Sequence, residues 1–441
     1  MPDRKSIARE IFRQTVSSID IPGTMERKLS LEGKRLILSD ASVSVDFSEI
    51  SEVRVVAIGK AAHSMVAGLP CILPDGLPVC GVVSAPTKPE VARPGLQYFV
   101  GGHPLPNAEG WRAAEATLAL LQPCTAETLT LFLVSGGGSA LAELPLDATL
   151  SLEDVQAIYR ALVTCGAPID AMNTIRKHLS AVKGGRLALA AGPAQKITLA
   201  VTDVPVGSES ALASGPTLPD PTTIADVAQI LEQYGLRQRF PPAFLRWLDA
   251  GNLPETPKAG HPAFRNAHFL LLLGMDDLFH AAHHAAEAHG YLSCCDNSTD
   301  DWPLDGAVDS LMMQLADWQR ENGGQRVAII ADGEVSSPVT GDGIGGRNSA
   351  FVLACVQKIA GGNITVFSVG TDGIDGNSPA AGAIADGQTL ARARTAGMDP
   401  TDFFRRSDAY TFFNRLDDAI ITGPTGNNLR DLRIFLAEPQ A

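Results

Sequence analysis

The chain lacks any run of about 18 apolar residues that could cross a bilayer as a helix. Its first residues carry Asp3, Arg4, Lys5, Arg9, Glu10 and Arg13 where a secretory leader needs an apolar stretch. They read instead as an amphipathic surface helix with Ile7, Ile11 and Val16 toward one face. Basic residues are few: 35 Lys and Arg stand against 49 Asp and Glu, a formal charge of −14. Neither a nucleic-acid partner nor a membrane partner is expected, because both call for a broad basic face. The seven cysteines show no CxxC spacing and are odd in number, so reduced thiols in a cytoplasmic protein are expected. No Walker A sequence occurs, and no strand signal is followed by GxGxxG with an acidic residue about 20 positions on. That omission argues against a nicotinamide-dependent enzyme.

What the chain does have is a globular composition, 45% hydrophobic and 19% charged over 441 residues, longer than one core usually supports. Short runs rich in Val, Ile and Leu recur at 53–58, 129–134, 197–201, 327–330 and 364–369, and most end in Gly, Ser, Thr or Asp. Helical patterns follow, as at 173–191 and 276–289. Strand, polar loop and helix in repetition predict an α/β fold of two α/β domains with largely parallel sheets. Such sheets bind ligands at the carboxyl ends of their strands, where the glycine-rich segments fall. Pro241, Pro242, Pro254, Pro257 and Pro262, with Gly251 and Gly260, place the boundary there. The expected domains are 1–250 and 251–441, with a second strand-and-helix series from His268.

Several segments carry chemistry. In Ile58-Gly59-Lys60-Ala61 a lysine stands where a strand gives way to a helix, a position that favours an anion. In Ser135-Gly136-Gly137-Gly138-Ser139 three glycines allow close backbone approach to phosphate oxygens and two serines offer hydroxyls; a tight strand-to-helix turn would need similar residues. Asn173, Arg176, Ser180 and Lys183 belong to a cationic stretch, of which the last three share a face at helical spacing; it could clamp a carboxylate or simply be solvated. Asp203 ends a strand and could hold Mg²⁺ or accept a hydroxyl proton, or merely cap a turn. Gly345-Gly346-Arg347-Asn348 delivers an arginine on a glycine loop, with Asn348 as a candidate helix cap. Asp372 and Asp375, three apart, suggest a divalent-cation or hydroxyl-binding loop, and 422–428 is a further polar loop. His280, His283, His284 and His289 lack the glutamate of a zinc protease motif and read as part of a structural helix.

Taken in order, AIGKAA, GGHPLPNAEG, LVSGGGSALAELP, MNTIRKHLSAVKGGRLA, TDVP, SGPTLPD, GIGGRN, GTDGIDG and GPTGNN span 55–432 and resemble the glycerate 2-kinase family, whose C-terminal part is called the MOFRL domain. The resemblance implies a larger N-terminal Rossmann-like α/β domain, a smaller MOFRL-type α/β domain and a cleft between them. It implies ATP and Mg²⁺ as co-substrates, glycerate as the small-molecule substrate and 2-phosphoglycerate as product; a homo-oligomer is compatible with it. The family's functional lysine falls on Lys60 and its functional arginine on Arg347, one from each domain, with Asp203 as the candidate for orienting the hydroxyl. Ser135, Gly136, Gly137, Gly138, Ser139, Gly345 and Gly346 are the expected nucleotide contacts. Asn173, Arg176 and Lys183 are the expected substrate contacts, and Asp203, Asp372 and Asp375 the expected metal ligands. Two departures stand out. An aspartate usual near Gly207 or Ser208 is missing, with Glu209 nearby, and Ser349-Ala350 replace a frequent Gln-Glu. The alternatives left are a kinase for a related hydroxy acid, a hydroxypyruvate reductase and a non-catalytic sensor.

Overall fold

A computed structural model of the chain describes residues 3–38, 43–202, 204, 207–423, 425 and 429–439. The chain divides into two compact units, Ile21–Leu273 and a second made of Met1–Asp20 with Gly274–Ala441. Both are α/β.

The first unit is built on six parallel strands in the order Leu96–Val100, Val79–Ala85, Glu52–Ile58, Thr128–Ser135, Gln195–Val201 and Ala267–Leu273. Thr128–Ser135 is buried at every position, as a central strand covered on both faces must be, and this explains why Leu129 and Leu131 to Val134 are apolar without alternation. From Glu52–Ile58 the chain winds outward through two strands, then returns to the centre at Thr128 and winds the other way. The reversal lies between Glu52–Ile58 and Thr128–Ser135. At such a switch point the loops leaving two adjacent strands part to opposite faces and open a crevice at the strand ends. A small antiparallel sheet, Leu29–Glu32, Arg35–Leu38 and Val43–Asp46, belongs to the same unit.

The second unit carries a mixed sheet: Leu292–Asp296, Val327–Asp332, Asp431–Ala437, Ile364–Gly370, Gly382–Asp386 and Ala419–Ile420. Its first pair is parallel. The C-terminal strand then inserts in reverse between Val327–Asp332 and Ile364–Gly370, and the remaining pairs are antiparallel. The parallel character is therefore complete in the first sheet only. The helix Arg4–Ser18 lays Ile7, Ala8, Ile11 and Phe12 inward, Phe12 meeting Phe367 at 5.4 Å between ring centroids. Lys5 beside it is buried, 2.8 Å from Asp418.

Three features differ from the sequence reading. The strand Ala267–Leu273, expected to open the second series, instead closes the first sheet beside Gln195–Val201. The N-terminal helix, expected within 1–250, belongs to the second unit, with Ile7 and Ile11 buried on one face as its amphipathic pattern predicts. The pattern at 173–191 is two helices, Ile169–Leu179 and Arg186–Ala190, because Ser180 turns extended at φ −93°, ψ 141°. All seven cysteines are unpaired, and among the described residues no helix is long and apolar enough to cross a membrane.

Candidate active site

The two strands at the switch point end in Gly59-Lys60 and Ser135-Gly136-Gly137, and these ends are knitted together. The Lys60 amide donates to Gly136 O at 3.0 Å, and the Ala61 amide donates to Ser135 Oγ at 3.0 Å. Gly59 has φ +135°, and a Cβ there would run into Ser135 Oγ, so only glycine fits the crossing. Gly137, at φ +80°, starts the short helix Gly138–Leu141. A Cβ on Gly137 would come within 3.3 Å of both Lys60 Cγ and His103 Cδ2, so the lysine stem, the histidine and the glycine loop converge. His103 was missed as a site residue; its position just after the strand Leu96–Val100, inside the GGHPLPNAEG stretch, is the signal that marks it. Of the expected cradle residues, Gly137 and Ser139 are partly exposed, whereas Ser135, Gly136 and Gly138 are buried. The Ser135 hydroxyl holds the Ala61 amide.

Behind the glycine loop lies a buried polar network. Ser139 Oγ is 2.7 Å from Ser214 Oγ, which donates to Asn173 Oδ1 at 3.1 Å, and Arg176 Nη1 donates to the same oxygen at 3.3 Å. The Arg176 guanidinium lies 4.9 Å over the Tyr159 ring, and its buried Nε–H has no acceptor among the described residues. The Tyr159 hydroxyl sits against Glu143 and 2.9 Å from Ser139 O. Lys183 Nζ binds Glu143 at 2.7 Å and Ala142 O at 3.1 Å. Burial pushes the Tyr159 hydroxyl far up, with the Glu143 charge adding to it. Burial also pulls the Lys183 ammonium down, against the opposing pull of Glu143. Asn173 and Arg176 are thus joined to the glycine loop. Lys183, expected as a substrate contact on the same helix face, lies beyond the end of that helix with its charge committed to an internal ion pair. Lys177, similarly, is bound to the buried Asp220 of SGPTLPD at 3.2 Å.

In the second unit Arg347 is the first residue of the helix Arg347–Cys355, which starts against the 370–376 loop. Asp375 accepts from the Asn348 amide at 2.9 Å with one oxygen, and from the Ser349 amide at 2.9 Å and hydroxyl at 2.6 Å with the other. This carboxylate caps the helix; Asn348 instead accepts from Ser368 Oγ at 2.6 Å. Burial raises the Asp375 carboxyl even though all three bonds favour its charge. Gly346 passes so close to Asp375 that a Cβ would overlap its Oδ1, and Gly345 donates to Asn377 Oδ1 at 2.9 Å. Ser349, one of the two departures from the resembled pattern, is therefore built into the cap. The Arg347 guanidinium meets Asp431 through Nε at 2.5 Å and Nη2 at 3.2 Å, and Glu334 through Nη1 at 2.8 Å. Burial alone would lower its affinity for the proton, but Asp431 and Glu334 outweigh burial and raise it. Neither partner stood out in the sequence: Asp431 lies 84 positions on, and Glu334, 13 positions back, belongs to a separate loop after another strand.

Of the expected metal ligands, Asp372 and Asp375 are among the described residues. Asp203 lies outside the described residues, as do Pro424, Gly426, Asn427 and Asn428 of the polar loop. Asp372 is partly exposed and accepts from the Ile374 amide at 3.0 Å. Both Asp375 oxygens serve the helix. Among the described residues no three His, Cys, Asp or Glu side chains are placed to hold a metal ion, so these residues do not form an Mg²⁺ cage.

Comparison with known proteins identifies the family. Residues 7–249 match the family model described as a domain of unknown function, DUF4147, and residues 327–431 match the MOFRL family. A D-glycerate 2-kinase from Thermotoga maritima is 33% identical over 391 residues, covering 88% of this chain and 91% of that one. The chain belongs to the MOFRL-type glycerate kinase family. A solved glycerate kinase structure from the same organism superposes with a TM-score of 0.81 at 30% identity, covering 98% of this chain and 99% of that one. A relative from Agrobacterium vitis, 37% identical over 87% of this chain and 86% of its own, bears the name putative hydroxypyruvate reductase.

Proposed function

We propose that the protein transfers the γ-phosphoryl group of ATP to the 2-hydroxyl of D-glycerate, giving 2-phosphoglycerate, in the cytoplasm. The observation that carries this reading is the convergence of Lys60 on a glycine loop at the switch point of the parallel sheet, in a chain belonging to the glycerate kinase family. Phosphoryl transfer asks little covalent chemistry of a protein; positioning and neutralising spread negative charge do most of the catalysis. Lys60 supplies a compact cation beside backbone that comes close to phosphate oxygens at Gly137 and Ser139. Arg347 supplies a planar cation suited to the equatorial oxygens of the transferring group. Arg176, over the Tyr159 ring and with an Nε–H that no described residue accepts, is suited to the glycerate carboxylate, and Asn173 holds its Nη1. Mg²⁺ in such reactions rides largely on the nucleotide phosphates and needs one or two protein carboxylates; Asp203 and Asp372 are the candidates.

The reductase name of some relatives supports a second reading, transfer of hydride to hydroxypyruvate. Against it, the glycine loop here runs Ser-Gly-Gly-Gly-Ser rather than GxGxxG, and its Ser135 hydroxyl is spent on anchoring Ala61. Absorbance at 340 nm separates the two. With NADH or NADPH and hydroxypyruvate the absorbance should stay flat, while ATP and D-glycerate should release ADP. Steady loss of reduced cofactor without ADP release would reverse the assignment, and ADP release with another hydroxy acid only would move the substrate.

A further inference from the structure

The Arg347 guanidinium has five N–H groups arranged on two paired edges, and two carboxylates cover both edges. Asp431 takes the side edge, Nε at 2.5 Å and Nη2 at 3.2 Å. Glu334 covers the end edge, one oxygen accepting from Nη1 at 2.8 Å and the other lying 2.6 Å from Nη2. With a carboxylate on each paired edge, neither edge is open for the paired contact by which arginine grips a phosphoryl group. An anion can be gripped in that way only if one carboxylate leaves.

The two carboxylates are held very differently. Asp431 is 3% exposed and opens the strand Asp431–Ala437, which is hydrogen-bonded on both sides within the sheet. The fully buried Arg433 lies 3.7 Å from it. Withdrawing Asp431 would leave buried charge uncompensated, which is costly. Glu334 is 44% exposed and sits in the loop beyond the strand Val327–Asp332, after Gly333 at φ +102°. Its carboxylate is the one of the two that solvent reaches, so its withdrawal leaves less uncompensated buried charge than that of Asp431.

We propose that Glu334 is a displaceable occupant of the anion-binding edge of Arg347, giving way to the γ-phosphoryl group of the nucleotide while Asp431 keeps the guanidinium in place. This rests on the reading that Arg347 contacts the transferred group. Glu334 stands in for the anion when the site is empty, so the guanidinium is already aimed when ATP arrives. It also weakens nucleotide binding, because its contact must be broken first. The competition is specific to the third phosphate.

Calorimetric titration of the full-length protein with ATP and with ADP, in the absence of glycerate, tests this. Glu334→Gln should tighten ATP roughly fivefold and change ADP less than twofold. In an Arg347→Ala background the same substitution should leave ATP affinity unchanged, because its effect acts through Arg347. Equal tightening of ATP and ADP, or tightening that persists without Arg347, would mean a general charge effect and overturn the proposal. A fall in kcat of a hundredfold or more would make Glu334 a participant in the reaction and overturn it too. Unchanged ATP affinity in Glu334→Gln, with Arg347→Ala still strongly impaired, removes the displacement alone. Parent-like turnover in Arg347→Ala removes the role of the arginine beneath it.

Discussion

At the residue scale, the carboxylate that changed most in meaning is Asp375. Sequence spacing made it a metal candidate; its two oxygens instead accept three hydrogen bonds at the start of the helix that carries Arg347. Asp375→Ala should lower unfolding stability by about 2–3 kcal/mol through loss of this cap, read from the denaturant midpoint. Its Mg²⁺ dependence of turnover should stay that of the parent. A parent-like midpoint with a shifted Mg²⁺ requirement would return Asp375 to the metal. The basic residues tell the same story. Lys60 and Arg347 were singled out because Lys60 follows the strand-ending Gly59 just before a helix and Arg347 opens a helix after Gly345-Gly346. Lys183 was misplaced onto a shared helix face, because nothing local to 180–183 announces the turn at Ser180 or the pairing with Glu143, 40 positions back.

At the element scale, five strands of the two large sheets were readable because strands buried on both faces are rich in Val, Ile and Leu; 53–58, 129–134, 197–201, 327–330 and 364–369 all fall inside observed strands. Strand order was not readable. The insertion of Asp431–Ala437 between two earlier strands, and the closing of the first sheet by Ala267–Leu273, depend on pairings between distant segments that leave no local trace. The crossing of the two switch-point loops gives a sharp test of an element-level contact. Gly59→Ala puts a side chain at φ +135° and into Ser135, and should cost about 2–4 kcal/mol of stability. Thermal melting measures it. An unchanged melting temperature would mean that the loops are not knitted as described.

At the scale of the whole molecule, overall charge and stability respond to one buried acid. The Asp332 carboxyl, fully buried at the end of Val327–Asp332, has no hydrogen-bond partner at either oxygen among the described residues. Burial pushes it up to about 6; Arg430 and Arg433 pull against this, and Asp300 and Asp276 add to it. Between the ordinary aspartate value and about pH 6, the folded chain therefore holds a proton that the unfolded chain has lost. Stability falls as pH rises through this window. Going from pH 5 to pH 7, the wild type should lose about 1–2 kcal/mol relative to Asp332→Asn. Melting curves at several pH values would show it, and parallel curves for the two proteins would contradict the burial argument.

The central claim is that Lys60 and Arg347 serve one phosphoryl transfer to glycerate. The most direct measurement is ADP release with D-glycerate by the wild type, Lys60→Ala and Arg347→Ala, each checked for a parent-like melting temperature. The account predicts turnover by the wild type to a product phosphorylated at the 2-hydroxyl, with kcat/KM reduced about 100-fold or more in each variant. Wild-type turnover retained in both folded variants would contradict it.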